Sequence, residues 1–359
     1  MATAIARYGG TLQYTQAMIE ALHLCPAKAF RFEILTPRDN PHYDNCGFPV
    51  TKIDRDFKRG VSSMLGRDPF AMFDKIIAPI YSTLLLSTRR PFAFTLHDLL
   101  EKHYPEHFNW RTRAWRHATN RLLTRRASRV LCESHFVKSD IIRHFHIPEN
   151  RVAVIPAPPL VALASRRIDA ADVEKTRQKL GISAAYVFYP AQFWPHKNHM
   201  RLVEAFARIA DLHPDLMLVF TGQKGFEHAK VMARVRESNL GMRVKHVGYV
   251  DEDELAALYV GATVVAIPTL FESISIPVWE AFALGRAVCA SNVQALPEQI
   301  GDAGLLFDPT SVDEIASAIH KLAASANLRR DLAERGRRRI AAVTHDAYAA
   351  RLTEVLDTL

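Results

Sequence analysis

Residues 267–285 read IPTLFESISIPVWEAFALG. They leave an apolar strand, cross a polar turn and enter a helix. Pro277 suits the first helical position, because its missing N–H would be unpaired there anyway, and Ser275 stands where a cap belongs. Gly285 follows as the C-terminal stop. The turn SIS therefore aims backbone N–H groups from a helix N-terminus, a ready anion site. Two carboxylates frame it. Glu272 lies at the carboxyl end of the strand, where open parallel sheets bind ligands, and Glu280 lies about one turn into the helix. Carboxylates so placed accept hydrogen bonds from hydroxyls, which suits a sugar or a ribose. The competing reading is a capping glutamate plus a helix-face glutamate.

Outward from this corner, short apolar runs alternate with amphipathic ones, the pattern of a parallel sheet flanked by helices. AYVFYPAQ, LMLVFTGQ, RVKHVGYV, TVVAIPT, RAVCASN and AGLLFDP read as strands, with helices between them and SVDEIASAIHKLAAS after the last. That is a complete doubly wound α/β domain over 185–340. The first half shows FRFEILTP, FAFTLHDL, SRVLCES and RVAVIPAP as strands and reads as a second domain of the same class, 1–160. Residues 161–184 carry no strand-like run and are expected to link the two. Residues 341–359 are expected to form a helix that packs back on the first domain. The Gly9-Gly10 turn follows only MATAIARY, so the first strand reads as short or absent and an earlier start of the chain is expected.

In YPAQFWPHKNHMRLVEAF, residues 189–206, a strand ends at Ala191, a loop holds Lys197 and a helix starts near Asn198, its expected cap. A lysine between strand end and helix start meets phosphates as a point charge. His196 and His199 flank it at a spacing that argues against a metal pair, so no metal is expected.

Together FWPHKNH, VFTGQKG, HVGYVDEDELAALYVGA and PTLFESISIPVWEAFALGRAV resemble the nucleotide-sugar domain of family 4 (group 1) glycosyltransferases, which have the GT-B fold: two Rossmann-like parallel-sheet domains facing a central cleft. GGTLQYT, FTLHDLLEKHYPEHF and VLCESHFVKSDIIRHFHIPENRVAVIP extend the resemblance through the first half. It implies that Glu272 holds hydroxyls of the donor sugar, that Glu280 holds the nucleotide ribose, and that the N–H groups of Ser273, Ile274, Ser275 and Ile276 contact sugar and phosphate. Lys197 would neutralise the departing diphosphate, His97 would face the donor sugar, and Gly10 would admit backbone to the phosphates. The reaction would transfer a hexose with retention of configuration, without metal or cofactor, resting on positioning and leaving-group stabilisation. The chain departs from the family at Gln192, neutral where a second phosphate cation usually stands, and at Ser273 and Ser275 in place of glycines. Lys224 is a candidate replacement cation. The WPHKNH loop is similar to that of bacterial polysaccharide mannosyltransferases and favours GDP-mannose over UDP-sugars, with a glycan or lipid-linked acceptor in surface polysaccharide synthesis. An inactive scaffold subunit and a nucleotide-sugar epimerase are the alternatives; a nicotinamide oxidoreductase is disfavoured, because no G-x-G-x-x-G follows a strand.

Charge divides unevenly. Residues 1–160 hold 23 Lys and Arg against 14 Asp and Glu; residues 161–359 hold 23 against 24. FNWRTRAWRHATNRLLTRRASR, residues 108–129, has seven arginines and no acid. Arginine with Trp110, Trp115, Leu122 and Leu123 fits an anionic membrane surface; the bland reading is a helix packing its apolar face inward with arginines in solvent. No nucleic-acid module accompanies the run. No apolar stretch approaches the ~20 residues of a membrane span. The four cysteines lie far apart, as reduced thiols do. A cytoplasmic protein, peripheral at the inner face of the cytoplasmic membrane, is the expectation.

Overall fold

The structure, a computed structural model, describes residues 10–26, 29–37, 43–53, 68, 70–159 and 166–359. The expectation about the first strand falls on residues 1–9 and lies outside the described residues. The chain divides into two compact units, 1–158 with 343–359, and 159–342.

In the first unit α1 (Gly10–Leu22) precedes β1 (Ile34–Pro37) and β2 (Val50–Ile53), a parallel pair in register Ile34 to Val50. Next come β3 (Ile76–Ala78), β4 (Phe92–Thr95), α2 (Leu100–His103), α3 (Trp110–Arg126), β5 (Arg129–Cys132), α4 (His135–Phe145) and β6 (Val152–Val154). Strands β3-β4-β5-β6 form a parallel sheet in that order. Its residues read as unbroken apolar runs, Phe92-Ala93-Phe94 and Val130-Leu131-Cys132, because both faces are covered. Leu123 of α3, Ile141 and Phe145 of α4, and Leu85 close the core on it. Strands β2 and β3 did not stand out in the sequence. They span four and three residues, too few for a period to register.

The second unit opens with α5 (Ala170–Leu180), capped by Asp169 in a reciprocal capping box with Asp172 and ended by Gly181. The stretch read as the link carries a helix, and it packs on a later helix of its own unit. Its exposed charged face, with Thr176 alone buried, left no apolar stripe to read. Then follow β7 (Ala185–Pro190), α6 (His199–Ile209), β8 (Leu216–Thr221), α7 (His228–Glu237), β9 (Val244–His246), α8 (Glu252–Gly261), β10 (Val264–Ile267), α9 (Ile276–Ala283), β11 (Val288–Ser291), α10 (Leu296–Ile300), β12 (Gly304–Phe307), α11 (Val312–Ala324) and α12 (Ala326–Ile340). The six strands form one parallel sheet in the order β12-β11-β10-β7-β8-β9. Strand order reverses between β7 and β10, so the crevice for a ligand is expected beyond the carboxyl ends of these two strands.

The last helix, α13 (His345–Asp357), capped by Thr344, returns to the first unit and lies on α1. Tyr348 meets Tyr14 edge to face, ring centroids 6.4 Å apart, and His345 pairs with Glu20.

Candidate functional site

In the second unit the reversal point brings together the loops after β7 and β10. Lys197 ends a short 3-10 turn, Pro195–Lys197, whose last carbonyl accepts the Tyr189 hydroxyl at 2.9 Å. Leu270 N–H donates to the His196 carbonyl at 2.7 Å, stitching the two loops together. Across that stitch Lys197 Nζ meets Glu272 Oε2 at 2.7 Å. Both side chains keep some solvent access, 23% and 14%. Two residues read separately from sequence are therefore one charged pair, 75 positions apart in the chain.

Asn198 is left-handed, φ 60° and ψ 32°, and does not cap α6 as expected. Its amide instead donates to the carbonyls of Pro268 (2.8 Å) and Pro309 (2.9 Å), just beyond β10 and β12, while its oxygen accepts from Arg201. Asn tolerates this backbone region better than most residues. Gly222, φ 124°, lets the loop after β8 approach that of β7: a Cβ there would sit 2.9 Å from the Ala191 carbonyl. Gln192 is half-buried and accepts the Trp194 indole N–H at 2.9 Å. Lys224 is exposed on the neighbouring loop. His199 is buried and stacked on Phe193, centroids 4.2 Å apart, and burial pushes its pKa down to about 3, so it is neutral. Among the described residues no group of three or more His, Cys, Asp or Glu is placed to hold a metal.

The turn before α9 differs from expectation at one residue. Ser275 is the N-cap, but its hydroxyl makes no cap bond and no other hydrogen bond. Its N–H donates to Gln299 Oε1 (2.8 Å) and its carbonyl accepts from Gln299 Nε2 (2.7 Å), so the Ser275 N–H is not available to a ligand as expected. The reason is burial: Ser275 is 1% exposed, and a buried peptide group needs a partner inside the protein. The half-buried Ser273 and Ile274 have no such clamp among the described residues and remain candidate donors; Ile276 begins the helix. Glu280 lies in the second turn of α9, 4% exposed, where Oε2 accepts the Tyr259 hydroxyl at 2.6 Å. Glu272 and Glu280 thus differ in setting, one at the crevice with a cation, the other against the core with a phenol.

In the first unit His97 lies two residues beyond β4, with Glu133 just past β5 and Pro79 just past β3. His97 Nδ1 is 2.8 Å from Glu133 Oε2 and Nε2 is 2.9 Å from the Pro79 carbonyl. Tyr14 of α1 presses its ring edge on His97, centroids 4.6 Å apart, and shares a hydrogen bond with Thr95. Gly10 is the exposed first residue of α1. The sequence pointed to His97 and Gly10 but not to Glu133, Gln299 or Tyr259, and to Asn198 only as a cap; their roles follow from contacts 21 to 111 residues away along the chain.

Residues 172–339 match the family described as Glycosyl transferases group 1, and residues 26–158 match Glycosyltransferase Family 4. The chain is 30% identical over 197 residues to the O-antigen chain mannosyltransferase B of Escherichia coli, covering 54% of this chain and 51% of that one. It is 28% identical over 221 residues to the MMP alpha-(1->4)-mannosyltransferase of Mycolicibacterium hassiacum, covering 60% and 50%. The matches thus span about half the length of these curated relatives. In fold it is similar to HepE of Anabaena (TM-score 0.81, 21% identity, 100% of this chain and 98% of that one) and to WaaG, a glycosyltransferase involved in lipopolysaccharide biosynthesis (0.77, 16%, 99% and 98%). Since the two family matches between them take in more than four-fifths of the residues and the folds agree end to end, the chain belongs to the group 1, family 4 glycosyltransferases, with the GT-B fold.

Proposed function

We propose that the protein transfers a hexose, with mannose favoured, from a nucleotide-diphosphate sugar to a glycan or lipid-linked acceptor, with retention of configuration, in surface polysaccharide synthesis. The observation that carries this reading is the Lys197–Glu272 pair at the reversal point of the six-stranded sheet. On donor binding Lys197 exchanges Glu272 for the diphosphate, and Glu272 turns to the sugar hydroxyls. The cation then stabilises the departing phosphate without a metal ion. Glu280, buried beside Tyr259, holds the ribose from below. Retention of the pair weighs against the scaffold alternative despite the neutral Gln192.

Mannose rests on the two mannosyltransferase relatives. HepE is described in complex with UDP-glucose, so the decisive test spans both bases. Thermal shift over UDP-, GDP- and dTDP-sugars should show one donor, GDP-mannose, raising Tm beyond its bare nucleotide; binding at 100 times Kd adds ~2.7 kcal/mol. No donor exceeding its nucleotide would sink the reading.

The acceptor side is proposed to rest on anionic lipid through α3. Its buried face is Thr119, Asn120, Leu123 and Thr124, while Trp110 (70% exposed), Trp115 and Leu122 point outward. Of the two sequence readings, the outward tryptophans support the membrane one. Among the described residues no helix is long and apolar enough to cross a bilayer. Three arginines of the run serve the fold: Arg116 Nε is 2.9 Å from buried Glu101, Arg126 donates to the Leu86 and Thr88 carbonyls, and Arg129 Nε donates to the Thr358 hydroxyl at 3.2 Å. The exposed Arg111, Arg113, Arg121 and Arg125 are in no ion pair among the described residues. At about 1 kcal/mol per basic residue near the surface, changing these four to Gln should weaken binding to anionic vesicles at least about tenfold, with 0.5 M salt acting likewise. Co-sedimentation measures it. Equal binding to neutral vesicles, or none lost in the variant, would return these arginines to plain solvation.

A further inference from the structure

His97 is held at both ring nitrogens by groups that accept. A backbone carbonyl has no proton to give, so Nε2 carries a hydrogen toward Pro79 at 2.9 Å. One proton lies between Nδ1 and Glu133 Oε2, 2.8 Å apart, and the hydrogen bond and charge of the carboxylate favour it on the imidazole. Both nitrogens then donate, and the ring is an imidazolium. The three groups come from the carboxyl ends of β4, β5 and β3, adjacent strands of one sheet, so the clamp is rigid. We infer that Glu133 is a positioning residue which keeps His97 doubly protonated, fixing a cation at the carboxyl edge of the first unit's sheet.

The surroundings agree. Glu133 is 5% exposed on its side chain and His97 21%, so solvent screens the pair little. Burial by itself lowers the pKa of His97, but the hydrogen bond and charge of Glu133, the charge of Asp98 and the Pro79 carbonyl outweigh it, and the net shift is upward. From α1 the facing group is Tyr14, with Tyr348 of α13 behind it; burial raises both phenols, so neither contributes charge. Two consequences follow for the proposed transfer, on which this inference rests. With no lone pair left, His97 does not act as a base. Its fixed charge favours an anionic group, such as a phosphate of the donor or acceptor, over a neutral sugar. The sign for stability follows the raised pKa: the contribution is fully present below the unfolded value of ~6.5 and fades as pH rises through the folded one.

The test is nitrogen-15 NMR of the histidine side chains in the full chain, with Glu133→Gln beside wild type. In wild type the His97 ring should titrate above the ordinary imidazole value of ~6.5. In Glu133→Gln the ring should titrate at least one pH unit lower, a tenfold loss of proton affinity. Glu133→Asp should restore part of the shift and serves if the glutamine variant fails to fold. The falling limb of the pH–rate profile of transfer should move to lower pH in Glu133→Gln, following that lowered midpoint, in kcat more than in KM. A wild-type ring titrating at or below ~6.5, an unmoved midpoint in both variants, or matching pH–rate profiles would overturn the assignment. Wild type with no transfer at all, yet with the midpoint moving as stated, would remove the transferase reading and support the clamp.

Discussion

Lys197→Ala should lower transfer about 100- to 1,000-fold, the loss typical when one preorganised electrostatic partner of a developing charge is removed. It should also weaken the bare nucleoside diphosphate, since a hydrogen bond to a charged group contributes about 1.5–3 kcal/mol, roughly tenfold to a hundredfold in Kd. The ion pair adds a sign that neither residue alone would reveal. Lys197 lies 2.7 Å from Glu272, so the alanine variant deprives this carboxylate of its cation and leaves it facing the diphosphate. Like charges repel there at partial exposure, where screening is incomplete. Adding Glu272→Gln to Lys197→Ala should therefore recover part of the nucleotide affinity while leaving transfer low. Calorimetry on the four members of the cycle measures the coupling. Unchanged nucleotide affinity in Lys197→Ala would remove the phosphate role, and additive losses in the double variant would remove the shared site.

How much of this site the sequence carried can be stated residue by residue. The loops after β7 and β10 were legible because strand ends in a parallel sheet face one edge, and both Lys197 and Glu272 lie in loops that follow apolar strands. Their contact was not legible. It depends on β7 lying beside β10 with β8 and β9 on the far side, an order that hydrophobic period does not encode. Ser275 was placed correctly as a helix N-cap, yet burial recruited Gln299 to its peptide group, and no local rule reports a partner 24 residues away. In α3 the arginines were plain, but their roles were not. Periodicity cannot say that Thr119, Asn120 and Thr124 face inward while Trp110 and Trp115 face outward; Leu123 is the one apolar residue among the four buried positions of that helix. His97 stood out only through the family pattern, and its charge state required Glu133, 36 positions on.

The second large effect concerns Asn198, which holds the lysine loop to the sheet. Its side-chain amide spans the carbonyls of Pro268 and Pro309, so one residue ties the end of β7's loop to the ends of β10 and β12. Asn198 is 5% exposed, and alanine there would leave both carbonyls without this donor at about 1–3 kcal/mol for a buried polar group. It would also place a Cβ residue without compensating side-chain bonds at φ 60°, about 1–2 kcal/mol more. The expected loss is about 2–5 kcal/mol in the second unit, a large share of a typical domain's stability. Glycine separates the two causes, because it loses the bonds but not the backbone freedom, and should be about 1 kcal/mol milder than alanine. Aspartate should be the worst of the three, since it turns an acceptor toward two carbonyl oxygens. Because the chain has two units, the quantity to follow is the transition reported by second-unit probes such as Trp279, not one global midpoint. Transfer should fall in the same order, since each change loosens the segment that carries Lys197. Equal stability of the glycine and alanine variants would show that the left-handed backbone is not strained. A neutral aspartate would show that the amide does not bridge the two strand ends.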